Sequence, residues 1–168
     1  FDSATGMFGA FETSHFDVPE APTMDEARQA LDVLDVLLSE FRFASPSAKS
    51  AALVAILTAT IRPSLERAPM FHVRAHTVGS GKSYLCEVIA AFATPRCAAP
   101  ATFPADDEEC QKLLLAELLR GPAVIEFDNL TGDLVAHKSL CAALTAEFMT
   151  GRILGVSKTA EVSTRTLF

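Results

Sequence analysis

One octet constrains this chain more than any bulk property: His76-Thr77-Val78-Gly79-Ser80-Gly81-Lys82-Ser83. Met70 to Ala75 precedes it and reads as a strand, while Leu85, Val88, Ile89 and Phe92 follow at the three- and four-residue steps of a helix. A glycine turn between a strand and a helix lets successive backbone N–H groups converge on an anion, with the positive end of the helix behind them. The octet follows G-x-x-x-x-G-K-[ST] except at its first position, where His76 stands in place of Gly. In that pattern Lys82 reaches the β and γ phosphates of a nucleotide as a point charge, and the Ser83 hydroxyl ligates Mg²⁺. A plain glycine turn is the competing reading. The flanking strand and helix favour the phosphate loop, with Val78, Gly79, Ser80, Gly81, Lys82, Ser83 and Tyr84 as its nucleotide-binding residues. His76 reads as a loop-flank residue rather than a base.

A phosphate loop needs a second group to hold the cation. Val124-Ile125-Glu126-Phe127-Asp128 supplies one, an apolar strand with an acid at its C-terminal end, 46 residues after Lys82. In open parallel sheets, ligands bind outside the C-terminal strand ends. Asp128 is therefore expected on Mg²⁺, against the alternative of a helix or turn cap. Asn129 follows it; an amide orients water but cannot accept its proton. Glu126 falls on the same strand face as Asp128, where a buried unpaired carboxylate is costly, so it is expected to find a partner or solvent and is not assigned as the base. The run Asp106-Asp107-Glu108-Glu109 reads as a helix N-terminus satisfying the dipole, without a catalytic role.

The remaining elements alternate. Thr23 caps a helix whose stripe is Met24, Ala27, Leu31, Leu34, Leu38 and Phe41, a packing helix. Ser45-Pro46 opens a second helix, apolar nearly all round and so expected to be buried, which Pro63 ends. Residues 97–103 form a weak strand, an acid at 106 or 107 caps a helix closed by Gly121, a further helix spans about Lys138 to Phe148, and Ala160 to Phe168 reads as a strand. Strand and helix in alternation mean a parallel sheet with helices on its faces. Three regions follow: residues 1–22, a hairpin turning at Thr5-Gly6 and a linker bounded by Pro19 and Pro22; 23–66, a helical segment packing on the core; and 67–168, the nucleotide-binding core.

Charge sharpens the division. The chain carries −7 over 168 residues, yet residues 1–41 hold nine acids and one base, leaving the rest near neutral at +1. Polyanion partners are therefore not excluded. From residue 133 on, Lys138, Arg152, Lys158 and Arg165 outnumber Asp133, Glu147 and Glu161, a faint basic bias. Cys86, Cys97, Cys110 and Cys141 form no C-x-x-C pair and read as small buried hydrophobes of a reducing, cytoplasmic protein. No apolar run in the sequence is long enough to span a membrane, and no signal peptide is expected from it. Beginning at Phe1 and ending in an apolar run, it is expected to be a piece of a longer protein.

Gly79-Ser80-Gly81-Lys82-Ser83, Val124 to Asn129, Leu140-Cys141-Ala142-Ala143-Leu144-Thr145 and Gly151-Arg152-Ile153-Leu154-Gly155-Val156-Ser157 together resemble the ATPase domains of primase–helicase proteins of plasmids, phages and integrative elements. These belong to the AAA+-like additional-strand P-loop ATPases, near the superfamily III helicases. The resemblance covers about residues 20–168 and is best over 68–168. It implies a three-layer αβα P-loop fold with a mostly parallel sheet, preceded by an N-terminal helical segment. It also implies Mg²⁺-ATP hydrolysis by Lys82, Asp128 and Asn129, with Asn129 positioning water. A homo-oligomeric ring and action on single-stranded or forked DNA at replication initiation are implied for the parent protein. In that family a γ-phosphate-sensing asparagine follows on the next strand and an arginine finger later. This chain stops at Thr166-Leu167-Phe168, inside that strand, so the core is expected to be incomplete and hydrolysis by the fragment alone is not implied. Arg152 and Arg165 are candidates for an arginine supplied in trans, against the plainer reading of surface arginines.

Two other functions compete. A small-molecule or nucleoside kinase would also use a phosphate loop, but usually near its N-terminus and with an arginine-rich lid, and neither is seen here. A nucleotide-binding module without turnover is kept open by His76 and Asn129.

Overall fold

The computed structural model describes residues 19, 21–75, 77, 79–95, 99–128, 130, 132–153, 155 and 158–168. The expected hairpin at Thr5-Gly6, Cys97, and the site candidates His76, Val78 and Asn129 lie outside the described residues. The chain is a mixed α/β protein that divides into two compact units, Phe1–Val54 and Ala55–Phe168.

In the first unit, Thr23 opens helix α1 (Met24–Leu37) with a reciprocal capping box: its hydroxyl accepts the Glu26 N–H, and the Glu26 carboxylate accepts the Thr23 N–H at 2.7 Å. That backbone bond holds the Glu26 carboxyl below its ordinary value. The apolar stripe is only partly covered. Leu34 is half-buried and Leu38 fully buried, but Met24 and Leu31 stay exposed, so α1 packs less than its pattern predicts. Lys49 pairs with Asp35 at 2.7 Å.

Helix α2 (Pro46–Ile61) starts as its sequence dictates, with the Ser45 hydroxyl accepting the Ala48 N–H and Pro46 at the first position. It ends in a tight turn, Arg62–Ser64, that contains Pro63. The expectation of burial on all sides fails. Ala52, Ala55, Ile56 and Ala59 are buried, whereas Val54, Leu57 and Ile61 are about half exposed. A uniformly apolar helix cannot reveal which of its faces the fold will cover.

The second unit is built around helix α4 (Asp107–Leu118). Asp106 caps it, its carboxylate accepting the Glu109 N–H at 2.9 Å, and Gly121 closes it with φ +63°. The core joins Cys110, Leu114, Leu115 and Leu118 of α4 to Leu140 and Ala143 of α5 (Lys138–Thr145), Met149 of β3 (Phe148–Arg152) and Val162 of β4 (Thr159–Ser163). Strands β3 and β4 form an antiparallel hairpin in register Phe148 with Ser163 through Arg152 with Thr159. The sequence pattern had absorbed Phe148 into a helix; α5 ends three residues earlier because Ala146 turns extended.

Parallel pairing is short but ordered. Strand β1 (Ala101–Thr102) pairs with β2 (Phe127–Asp128), and the segment before β2 bridges to the C-terminal segment at Val124 and Leu167, also in parallel. Ile125 N–H donates to Leu167 O, and Leu167 N–H to Ala123 O. Phe71 N–H in turn donates to Phe168 O at 3.0 Å. The bonding order is thus β1, the 123–128 segment, the 167–168 segment and the 70–75 segment. Met70 to Ala75 was expected as a strand; its described residues form none and are tied in by that bond.

Candidate nucleotide-binding site

The loop enters helix α3 (Lys82–Ala91) through two left-handed residues, Gly79 at φ +75° and Gly81 at φ +83°. Both conformations penalise any residue with a Cβ. Gly81 is the N-cap and brings no side-chain acceptor, and no acid sits in the first turn. The helix therefore presents its first amides without an internal anion. Lys82 is the first helical residue, and its ammonium lies back over the loop, 3.4 Å from the Thr77 carbonyl and 3.5 Å from the Ser80 hydroxyl. These are long contacts, easily exchanged for a stronger acceptor.

Lys82 and Ser83 open on a cavity of about 600 Å³. Its walls also include Cys86 and Ile89 of α3, Glu126 and Asp128 of the sheet, and Phe168. Nucleotide-sized ligands occupy cavities of roughly 300–1,000 Å³. Spacing and strand position single out Lys82, Ser83 and Asp128 separately, and all three line this one cavity. Gly79, Ser80 and Gly81 shape the entry without lining it, and Tyr84 lies outside the lining with 63% of its surface exposed.

Glu126 is half-buried on the same wall and has no cation beside it among the described residues. Burial raises its carboxyl above the ordinary value, and the charges of Asp128 and then Glu87 add to the effect. The Cys86 thiol, one helical turn from Ser83, is pushed up to about 11, first by burial and then by Glu126, Asp128 and Glu87. It is a protonated wall group, not a nucleophile. The sequence reads Cys86 as a small buried hydrophobe; the structure leaves it half-buried in the cavity lining, where its three-residue step from Ser83 puts it on the same helix face.

The two arginine candidates lie outside the lining. Arg152 is exposed at the end of β3, opposite Thr159, with no ion pair among the described residues. Arg165 is engaged within its own chain, donating to the Pro63 carbonyl at 2.9 Å and to Glu147 at 2.6 Å. The acidic run behaves as its position predicts. Asp106 caps α4, Glu108 and Glu109 pair with Lys112, and Asp107 reaches across to accept the Ser139 N–H at the start of α5. Among the described residues no group of three or more His, Cys, Asp or Glu side chains is arranged to hold a metal ion. Mg²⁺ takes one or two protein ligands and completes its shell with phosphate and water. The Ser83 hydroxyl and the Asp128 carboxylate are the residues that fit it. No described helix is long and apolar enough to cross a membrane.

Comparison of the chain with protein-family models, with curated proteins and with solved structures gave no match.

Proposed function

We propose that this chain binds ATP with Mg²⁺ between the Gly79–Ser83 loop and Asp128, as the nucleotide-handling part of a DNA-replication ATPase of the primase–helicase type. The observation that carries the reading is the convergence of Lys82, Ser83 and Asp128 on one cavity behind a left-handed glycine turn. Lys82 exchanges its loop carbonyl for phosphate oxygens; Ser83 and Asp128 supply two oxygens to the cation the nucleotide brings. The C-terminal segment, bonded to the 70–75 segment on one side and to the 123–128 segment on the other, is in keeping with a P-loop fold of the additional-strand kind. The β3–β4 hairpin, with Arg152 and Lys158 near its turn, offers a place for single-stranded or forked DNA in a ring of such subunits.

A second reading rests on Asp128 being followed by Asn129: binding without turnover, the nucleotide serving as a switch. One experiment tests the core of both. Thermal unfolding is followed with and without Mg²⁺-ATP for the chain, for Lys82→Ala and for Asp128→Asn. Ligand at 100 times its dissociation constant stabilises by about 2.7 kcal/mol. The expected result is a clear upward shift, lost in Lys82→Ala and reduced in Asp128→Asn when Mg²⁺ is present. No shift in any protein would sink the nucleotide reading. Binding without phosphate release would favour the switch.

A further inference from the structure

Arg62 is 3% exposed, yet no carboxylate faces it among the described residues. Its guanidinium is satisfied by three backbone carbonyls instead. Nε donates to Thr166 O at 2.9 Å, Nη2 to Thr164 O at 2.8 Å and Nη1 to Leu65 O at 2.6 Å. A buried cation held only by carbonyl dipoles is an expensive arrangement to keep for packing alone. Arg165 stands close enough to repel it, and burial and that charge together lower the Arg62 guanidinium below its ordinary value.

The gripped segment has an unusual position. Thr164 is fully buried, and its hydroxyl donates to the Ala146 carbonyl. The Thr166 hydroxyl donates to Pro122 O at 2.8 Å. One residue later the chain enters the sheet: Leu167 bonds to Ala123 and Ile125 on one side, and Phe168 accepts from Phe71 on the other. Among the described residues, the 70–75 segment that leads into the loop bonds by its backbone to Phe168, and the 123–128 segment that ends in Asp128 bonds to Leu167, so residues 167 and 168 form a backbone link between the two. Arg62 holds the carbonyls immediately upstream of them.

We propose that Arg62 is a positioning residue for the nucleotide site: by fixing Thr164 and Thr166 it sets the register of the insert that spaces Lys82 and Ser83 from Asp128. This rests on the Mg²⁺-ATP reading above. A nucleotide without the cation needs only the loop; a nucleotide with Mg²⁺ needs the loop and Asp128 at one separation. Arg62 acts on the second requirement and not the first.

The test uses the full chain, a fluorescent ATP analogue, and binding titrations with Mg²⁺ and with EDTA. Arg62→Met keeps the stem and removes the donors, Arg62→Lys keeps the charge but not the three-way fork, and Leu118→Ala is a core-weakening control. The expected result is a loss of Mg²⁺-dependent affinity of about tenfold in Arg62→Met and less in Arg62→Lys. EDTA affinity should stay within twofold to threefold, and Leu118→Ala should change neither. Amide exchange at Phe71 and Leu167 should quicken in Arg62→Lys and not in Leu118→Ala, which keeps the test decisive if Arg62→Met does not fold. Unchanged Mg²⁺ affinity and unchanged exchange in Arg62→Lys would overturn the proposal. So would equal losses with Mg²⁺ and EDTA, which would make Arg62 merely structural. Failure of the unmodified chain to bind in either condition would overturn the nucleotide reading itself, and the proposal with it.

Discussion

Helix α4 sits at the centre of a well-covered core. Cys110 and Leu114 are fully buried, α5 and the β3–β4 hairpin cover them, and the helix ends are capped from within and from a neighbour. Around the Gly79–Ser83 loop the reverse holds: Gly79, Ser80, Ser83 and Tyr84 are exposed, α3 buries only Leu85, Ile89 and Ala90, and among the described residues the segment leading in makes one backbone hydrogen bond, to Phe168. The first region supplies stability; the second leaves its amides and its ammonium available. A chain that must close on a ligand has to keep one part of itself underpacked and brace it with a part that is not.

Substitutions can separate the two. The largest effect is expected from Leu114→Ala in the braced region, a loss of about 2–5 kcal/mol read from the urea midpoint at unchanged slope. A comparable loss from Leu85→Ala would contradict the contrast, because α3 has fewer neighbours to leave a cavity among. Next comes one change made in two places. At Gly151 a Cβ would stand 2.8 Å from Leu115 Cδ2, so Gly151→Ala overpacks the core and is expected to cost about 1–3 kcal/mol. At Gly79 an added Cβ meets nothing within 4 Å, and Gly79→Ala pays only for its left-handed backbone, about 1 kcal/mol. The second variant should also weaken ATP binding, which the first should not.

The smallest effect concerns acid. Asp107 accepts the Ser139 N–H at 2.8 Å, and that bond first, with the Ser139 hydroxyl and nearby His137 and Lys138 behind it, holds its carboxyl below the usual aspartate range. A depressed folded value means that the stabilisation is complete above the unfolded value near about 4 and drains away as pH falls through the folded one. Asp107→Asn keeps an oxygen for the cap and removes the titration. Melting temperature below pH 4 should then fall less steeply than in the unmodified chain. An identical slope would show that the α4–α5 brace is not linked to this proton.

Much of the braced region was legible because its signals are local. Asp106, the Leu114, Leu115 and Leu118 stripe, and Gly121 mark α4 from cap to stop within sixteen residues. The same holds for Ser45-Pro46 at the head of α2. What escaped depends on distant partners. The helix read through Phe148 stops at Thr145, and the hydroxyl on the Ala146 carbonyl comes from Thr164, 18 residues on. Met70 to Ala75 has a strand's composition but finds few backbone bonds among the described residues. In the candidate site, a glycine turn and a strand-end acid have side-chain signatures, which single out Lys82, Ser83 and Asp128, and the structure brings the three to one cavity. Arg62 could not be singled out in this way, since all three of its acceptors are main-chain carbonyls, two of them 102 and 104 residues away, and a carbonyl leaves no mark on sequence.

The position of Leu167 carries one more consequence, for the timing of assembly on the ribosome. Phe71 and Val124 emerge early, but the residues that lie between them in space are made about forty residues after the second of the two. At ~5–20 residues per second, that leaves the edges of the 70–75 and 123–128 segments uncovered for a few seconds in every newly made chain. The helices α4 and α5 and the β3–β4 hairpin use nearby partners and can form in that interval. The site is thus the last part of the unit to be completed, and its unfinished edges are where a chaperone would have the longest opportunity to bind.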